Sequence, residues 1–244
     1  MRIILIIFLL LYNQISSSEE KKTLRIGFFN NRPFTYLDGK TGKETGIIID
    51  LLRKKILKFD KYNLSFQQYP LSRVLKEVSL GNLDIVAILG KNPEREKLID
   101  FSINPIYTTD NYAMVLKTSK LNNITSVADL KDETIGIVQN SAYCEFITTN
   151  KKLLRIDETA NENFIPILVN KLIHKRITVA YAFLPEALYF EAKSMGFISS
   201  IKMVKVPSKK VSVYMAFAKN FNKKMKYEIE ENLRKYHIEQ VEMN

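Results

Sequence analysis

Cysteine is nearly absent: Cys144 stands alone in 244 residues. One thiol excludes an internal disulfide, and its depth in the chain leaves no cysteine after the N-terminal apolar run for lipid attachment. Cys144 itself reads as a small buried apolar residue rather than a nucleophile. Histidine is almost as scarce. His174 and His237 fall at helix ends near Lys and Arg and read as surface groups. The chain shows no Ser-His-Asp set, no zinc spacing and no phosphate-cradling loop. No apolar run after the first residues is long enough to span a membrane. There is no internal repeat and no low-complexity linker.

What is present is globular: 46% hydrophobic and 26% charged, enough for one large domain or two small lobes. Met1-Arg2, the apolar run Ile3 to Leu11 and the Ser16-Ser17-Ser18 cluster read as a secretory signal peptide, cleaved after Ser18. Removing it takes Arg2 from the 37 basic residues and leaves 26 acidic ones untouched, so the net charge goes from +11 to +10. The lysines are spread in pairs, such as Lys54-Lys55 and Lys209-Lys210, as on a solvated surface. An exported chain of this kind gives no reason to expect nucleic acid as a partner.

The most informative stretch is Asp84 to Tyr112. Leu83 to Leu89 is the unbroken apolar run of a strand buried on both faces. Gly90 ends it. Asn92 is a good N-cap and Pro93 suits the first helical position, so a short helix starts there with Arg95 in its first turn. A guanidinium beside free backbone N–H groups makes an anion site. The competing reading pairs Arg95 with Glu94, Glu96 or Asp100 on the surface.

Upstream, Thr23–Phe29 is a strand, Leu37–Glu44 a polar turn and Gly46–Phe59 a helix with apolar positions 48, 49, 52, 56 and 59. Tyr62–Gln68 is a strand and Leu71–Leu80 a helix. Strand and helix alternate, which predicts a parallel sheet wound by helices, with a site beyond the carboxyl ends of the strands. Downstream, the spacing predicts a helix over Asn122–Asp132, a strand at Thr134–Val138, and a helix opened by Gln139-Asn140-Ser141 and running to Thr149. Further helices are predicted at Asn161–His174, Pro185–Met195 and Asn220–Tyr236, with a strand at Ile177–Tyr181 and two more between Ile198 and Ala218. This second series is a second α/β lobe. Tyr107–Asn111 and Val206–Val211 are the expected crossings, a hinge for lobes that close on a ligand.

Asp84-Ile85-Val86, Asn92-Pro93-Glu94-Arg95 and Ile99-Asp100-Phe101-Ser102 together resemble the bacterial extracellular solute-binding proteins of family 3, over about Thr23 to Tyr236. Gly46, Ile47, Ile49 and Asp50 fit a further signature, from which Ile48 departs. The resemblance implies a two-lobed α/β fold of the periplasmic-binding-protein type (type II). The expected division is a signal peptide at 1–18, a first lobe at 19–108, a second at 109–206 and a return at 207–244. It also implies that Arg95 holds a ligand carboxylate. Gly90 stands where a ligand-binding Ser or Thr is common, and Ile88 keeps an amide but no hydroxyl. Leu71 stands in place of a sandwiching aromatic, which Tyr69 would partly replace. Asn31 lies in the loop that borders the ligand. Ser141 survives from a carboxylate-holding turn, where Ala142 replaces Thr. Phe183 falls where an Asp pairs with the ligand's ammonium, and Glu186 one turn on is the candidate substitute.

Carboxylate recognition is thus kept in part and amino-group recognition lost. The expected protein is a periplasmic, exported, monomeric binding protein that captures a small carboxylate-bearing or amino-acid-like solute and delivers it to the permease of an ABC-type importer. It needs no cofactor or metal and is not an enzyme. The alternatives are a periplasmic sensor that presents its ligand without transport, and an enzyme resembling cyclohexadienyl dehydratase, for which the cleft offers no acid besides Glu186.

Overall fold

The structure is a computed structural model that describes residues 21–58, 62–160, 163–236, 238 and 243. The proposed signal peptide, Phe59 and His237 lie outside the described residues. The described residues form two large sheets, each with helices on it, and a two-stranded ribbon of β2 and β3. The first part runs β1 (Lys22–Phe28), β2 (Tyr36–Leu37), β3 (Glu44–Thr45), α1 (Ile47–Leu51), β4 (Tyr62–Gln68), α2 (Leu71–Ser79), β5 (Ile85–Gly90), α3 (Pro93–Leu98), β6 (Asp100–Phe101) and β7 (Tyr107–Thr109). The second part runs β8 (Tyr112–Leu116), β9 (Thr134–Val138), α4 (Glu145–Asn150), β10 (Arg155–Thr159), α5 (Phe164–Ile173), β11 (Val179–Tyr181), α6 (Pro185–Ser194) and β12 (Ile201–Lys205). The chain then returns through β13 (Val211–Phe217) and α7 (Lys223–Lys235).

In the first sheet the order is β4-β1-β5-β13-β6, with β7 also on β13. β1 pairs in parallel with β4 and β5, while β13 joins β5 antiparallel. Every residue of β5 is buried, as its apolar run requires at the middle of a covered sheet. Ile48, Ile49, Leu52 and Ile56 are all fully buried, on α1 and the π-helical turn Leu52–Ile56 that extends it. Each contributes about 1.5–3 kcal/mol by leaving water. Gly46, which starts this helix, has φ 119°, and a Cβ there would collide with the Phe34 carbonyl. That is the physical content of the glycine in the signature.

The second sheet has the order β10-β9-β11-β8-β12, parallel where β9 meets β10 and β11 and antiparallel at β8. The two chain passages between the sheets lie side by side. Thr108 pairs with Ser212 in the β7–β13 ladder, their hydroxyls 2.8 Å apart, and Asn111 Nδ2 donates to the Lys209 carbonyl at 2.6 Å.

Several predicted elements differ. The segment 122–132 is not a helix: only Val127–Leu130 forms a single 3-10 turn, held by a Ser126/Asp129 capping box. Polar residues there satisfy the backbone locally instead of propagating a helix. The helix expected from Gln139 begins at Glu145, and residues 139–144 form an irregular turn with Asn140 at φ 58°. Ser141 therefore lies in a turn and not at a helix start. Strand β10 has no counterpart in the sequence reading, because Arg155–Thr159 is an edge strand whose outward residues are charged.

Candidate functional site

The carboxyl ends of β1, β5 and β9 and the start of α5 converge on a cavity between the sheets. Its volume is about 40 Å³. Its walls include Phe29, Leu71, Ile88, Phe164, Ile165 and Phe183, so it is mostly apolar. Of the predicted residues, Arg95, Asn31, Leu71, Ile88, Gly90, Ser141 and Phe183 all line it. Tyr69 does not. Its hydroxyl donates to Gln67 Oε1 at 2.8 Å and Arg73 stacks on its ring, so it cannot replace the missing aromatic at Leu71.

Arg95 is the one charged residue of the wall, and only 6% of it is exposed. α3 places it: Asn92 Oδ1 accepts from the Arg95 amide at 2.9 Å, which fixes the first turn. Asn92 thereby takes the Arg95 amide, one of the backbone donors expected to share an anion with the guanidinium. The surface pairing does not occur. Among the described residues Arg95 makes no ion pair, and Asp100 is taken by Lys219 at 2.8 Å and Lys226 at 3.6 Å. Instead Arg95 Nη1 donates to the Gly90 carbonyl and Nη2 to the Asn140 carbonyl, each at 2.6 Å. The first bond stays within one sheet's part of the chain and the second reaches the other. Burial lowers the guanidinium pKa to about 10, against the fields of Tyr143 and Glu94, so it stays charged at neutral pH. Two neutral carbonyls do not neutralise it, and a buried unpaired cation favours an anion.

Gly90 does more than supply a carbonyl. A Cβ at this position would lie 2.6 Å from Ala142 Cβ and 3.0 Å from the Phe183 ring. Its missing side chain lets the two parts of the chain meet. Phe183 fills space beside it and offers no carboxylate.

Glu186 does not serve the cavity. It sits at the start of α6, 2% exposed, and accepts from the Tyr107 hydroxyl at 2.7 Å and from the Thr109 hydroxyl. Its second oxygen has no hydrogen-bond partner among the described residues. Desolvation, the largest effect, raises its pKa, and the two hydroxyls oppose that. Glu186 therefore joins the second part of the chain to β7 in the passage between sheets. Cys144 is buried, with its amide donating to the Tyr181 hydroxyl at 3.1 Å, and His174 is exposed. Among the described residues no group of His, Cys, Asp and Glu could hold a metal ion.

Sequence reasoning missed Phe164 and Ile165, at the start of α5, as wall residues and the Asn140 carbonyl as Arg95's partner. An apolar residue opening a helix carries no signal of a cavity, and a carbonyl carries none at all.

A family model of the bacterial extracellular solute-binding proteins, family 3, matches residues 24–239. The chain belongs to this family. Its fold is that of the two-lobed periplasmic binding proteins. It is similar to an ancestral arginine-binding protein bound to arginine, at 23% identity over 88% of this chain and 92% of that one, TM-score 0.73. It is also similar to an amino acid ABC transporter substrate-binding protein of Streptococcus pneumoniae bound to L-arginine, at 19% identity over 89% of each chain, TM-score 0.73. A histidine kinase sensor domain with similarity to periplasmic binding proteins aligns over 88% of this chain and 90% of its own, at 14% identity and TM-score 0.73. No helix among the described residues is long and apolar enough to cross a membrane.

Proposed function

We propose that this protein is an exported solute-binding protein that captures a small carboxylate between two closing lobes, 19–108 with 207–244 on one side and 109–206 on the other, and delivers it to an ABC-type importer. The observation that carries the reading is Arg95: buried, charged, without a carboxylate partner, and facing a small apolar cavity. About 40 Å³ corresponds to roughly three water-sized groups. That suits a carboxylate of two or three carbons. No acidic side chain lines the cavity, so an α-ammonium would be buried unpaired. The arginine-bound neighbours support the class of protein and not their ligand, because Phe183 occupies the place of an acidic partner.

Delivery to a permease is supported by the family and by the transporter neighbour. The sensor-domain neighbour supports a second reading, in which ligand capture is reported to a membrane partner without transport. Either reading needs the same site. The test is a thermal-shift screen of the protein against acetate, propionate, lactate, arginine and glutamine. A ligand that binds the folded state raises the melting temperature by mass action. A short carboxylate is expected to give the largest shift, and Arg95→Ala to abolish it. The largest shift from arginine or glutamine, lost in Arg95→Ala, would overturn the reading.

A further inference from the structure

β11 lies inside the second sheet, between β9 and β8, and all three of its residues are buried. A strand in that place is expected to be apolar throughout. Its last residue is instead Tyr181, 1% exposed, whose hydroxyl must find partners in the interior. The oxygen accepts from the Cys144 amide at 3.1 Å, and the O–H donates to Asn111 Oδ1 at 3.2 Å. Burial, the largest effect, holds the phenol pKa well above its ordinary value, so the proton stays in place for Asn111 at neutral pH.

The two partners belong to different parts of the molecule. Cys144 ends the turn 139–144 and caps α4. That turn walls the cavity at Ser141 and Ala142 and supplies the Asn140 carbonyl to Arg95 Nη2. Asn111 is 1% exposed and stands in the first passage between the sheets. Its Nδ2 donates to the Lys209 carbonyl at 2.6 Å, and its own carbonyl accepts from the Val206 amide at 2.9 Å, so it grips the second passage at two points. Asparagine suits this place because one short side chain offers both an acceptor and donors. Hydrogen bonds thus run from the Lys209 carbonyl through Asn111 and Tyr181 to one end of the turn whose other end meets Arg95. A phenylalanine at position 181 would fill nearly the same space in the core. What the hydroxyl adds is this link.

We propose that Tyr181 and Asn111 are positioning residues, through which the two passages between the sheets fix the turn 139–144 and so the place of the Asn140 carbonyl at the Arg95 site. Neither residue lines the cavity. They act on it from behind: a shift of the passages as the lobes move is felt at the cavity wall, and a ligand that moves the wall is felt in the passages by the same coupling. The inference deepens the proposed function and rests on it for the ligand, but its main test needs no ligand.

The test is amide hydrogen exchange on the folded protein without ligand. It compares Tyr181→Phe and Asn111→Ala with the control Tyr107→Phe, which removes another buried hydroxyl beside the passages. Melting curves show whether each variant keeps the fold, and Tyr181→Phe, which keeps its ring, carries the test alone if Asn111→Ala does not fold. Tyr181→Phe is expected to speed exchange roughly tenfold in 139–146, and also in 206–211, where Tyr181 makes no hydrogen bond. Asn111→Ala is expected to do the same in 139–146, where its side chain makes no hydrogen bond. Tyr107→Phe should leave 139–146 within about twofold of the unmodified protein. Exchange that rises only in the segment each side chain bonds to directly, or that rises as much in Tyr107→Phe, overturns the proposal. Calorimetric titration with propionate supplies a second readout. The double variant Tyr181→Phe/Asn111→Ala should change affinity no more than the larger single change, as links of one chain do, and full additivity would overturn the coupling. Propionate that does not bind the unmodified protein refutes the proposed function, and the exchange pattern then decides this inference by itself.

Discussion

Arg95 Nη2 donates to the Asn140 carbonyl at 2.6 Å, so the cation that faces the cavity also ties the two parts of the chain together. Asn140 holds φ 58°, a left-handed conformation that asparagine tolerates better than most residues. Under the proposed function a carboxylate would compete with this carbonyl, make the stronger charge-assisted bond and displace it without leaving the guanidinium bare.

Removing that side chain tests both roles. Arg95→Ala is expected to weaken carboxylate binding by roughly ten- to a hundredfold, since each lost charge-assisted bond is worth about 1.5–3 kcal/mol. Arg95→Lys should not restore it, because an ammonium cannot reach two partners as a planar fork does. Calorimetric titration of both variants reads the result. Full affinity in Arg95→Lys would show that only charge matters.

Gly90→Ala should hold the cleft open. Its Cβ would stand 2.6 Å from Ala142 Cβ, and overpacking of this kind costs about 1–3 kcal/mol unless the parts separate. Small-angle scattering should give a larger radius of gyration than for the unmodified protein, with ligand affinity reduced and the melting temperature of the unliganded protein little changed. An unchanged radius with unchanged affinity would mean that Ala142 and Phe183 yield.

Phe183→Ala should enlarge the Arg95 cavity. Truncating a fully buried Phe costs about 3–5 kcal/mol, and this half-buried ring should cost about 1–3 kcal/mol. Longer carboxylates should gain affinity relative to acetate in competition titrations. A uniform loss across chain lengths would place the ring outside the size limit.

Glu186 makes stability depend on pH. Its folded-state pKa lies above the ordinary 4.5, so the folded protein keeps this proton to higher pH than the unfolded chain does. Its contribution is therefore most favourable below the ordinary value, declines as pH rises through the raised one, and is constant beyond. Glu186→Gln keeps an acceptor for Tyr107 and Thr109 and removes the charge, so it should lose this decline. Urea unfolding across a pH series, read as the difference between variant and unmodified protein, isolates it from the surface carboxylates Asp38 and Asp129, whose lowered pKa values act in the opposite sense. A constant difference at all pH values would count against the assignment. The groups facing Glu186 are Tyr107, Thr109 and Asp110, all from the first passage between the sheets.

Local patterns carried much of the fold in the sequence itself. β5 announces itself because a strand covered on both faces must be apolar throughout, and α1 because its buried positions recur at helical spacing. Gly46 and Asn92 mark helix starts by backbone chemistry alone. The signals failed where polar residues satisfy their own backbone, as at Ser126 and Asp129, and at edge strand β10, where half the residues face water. For the candidate site, the sequence by itself determined which residue types were available: one Arg, no acid at Phe183, no side chain at Gly90. Only the tertiary structure decided what they do. It turned Arg95 onto the Asn140 carbonyl, sent Tyr69 to Gln67 and Glu186 to the passage between the sheets, and set Arg32 and Glu191 around one crevice although they stand 159 positions apart in the chain. Those outcomes depend on contacts between distant segments, whose geometry is fixed by how two sheets pack and not by the spacing of residues within either.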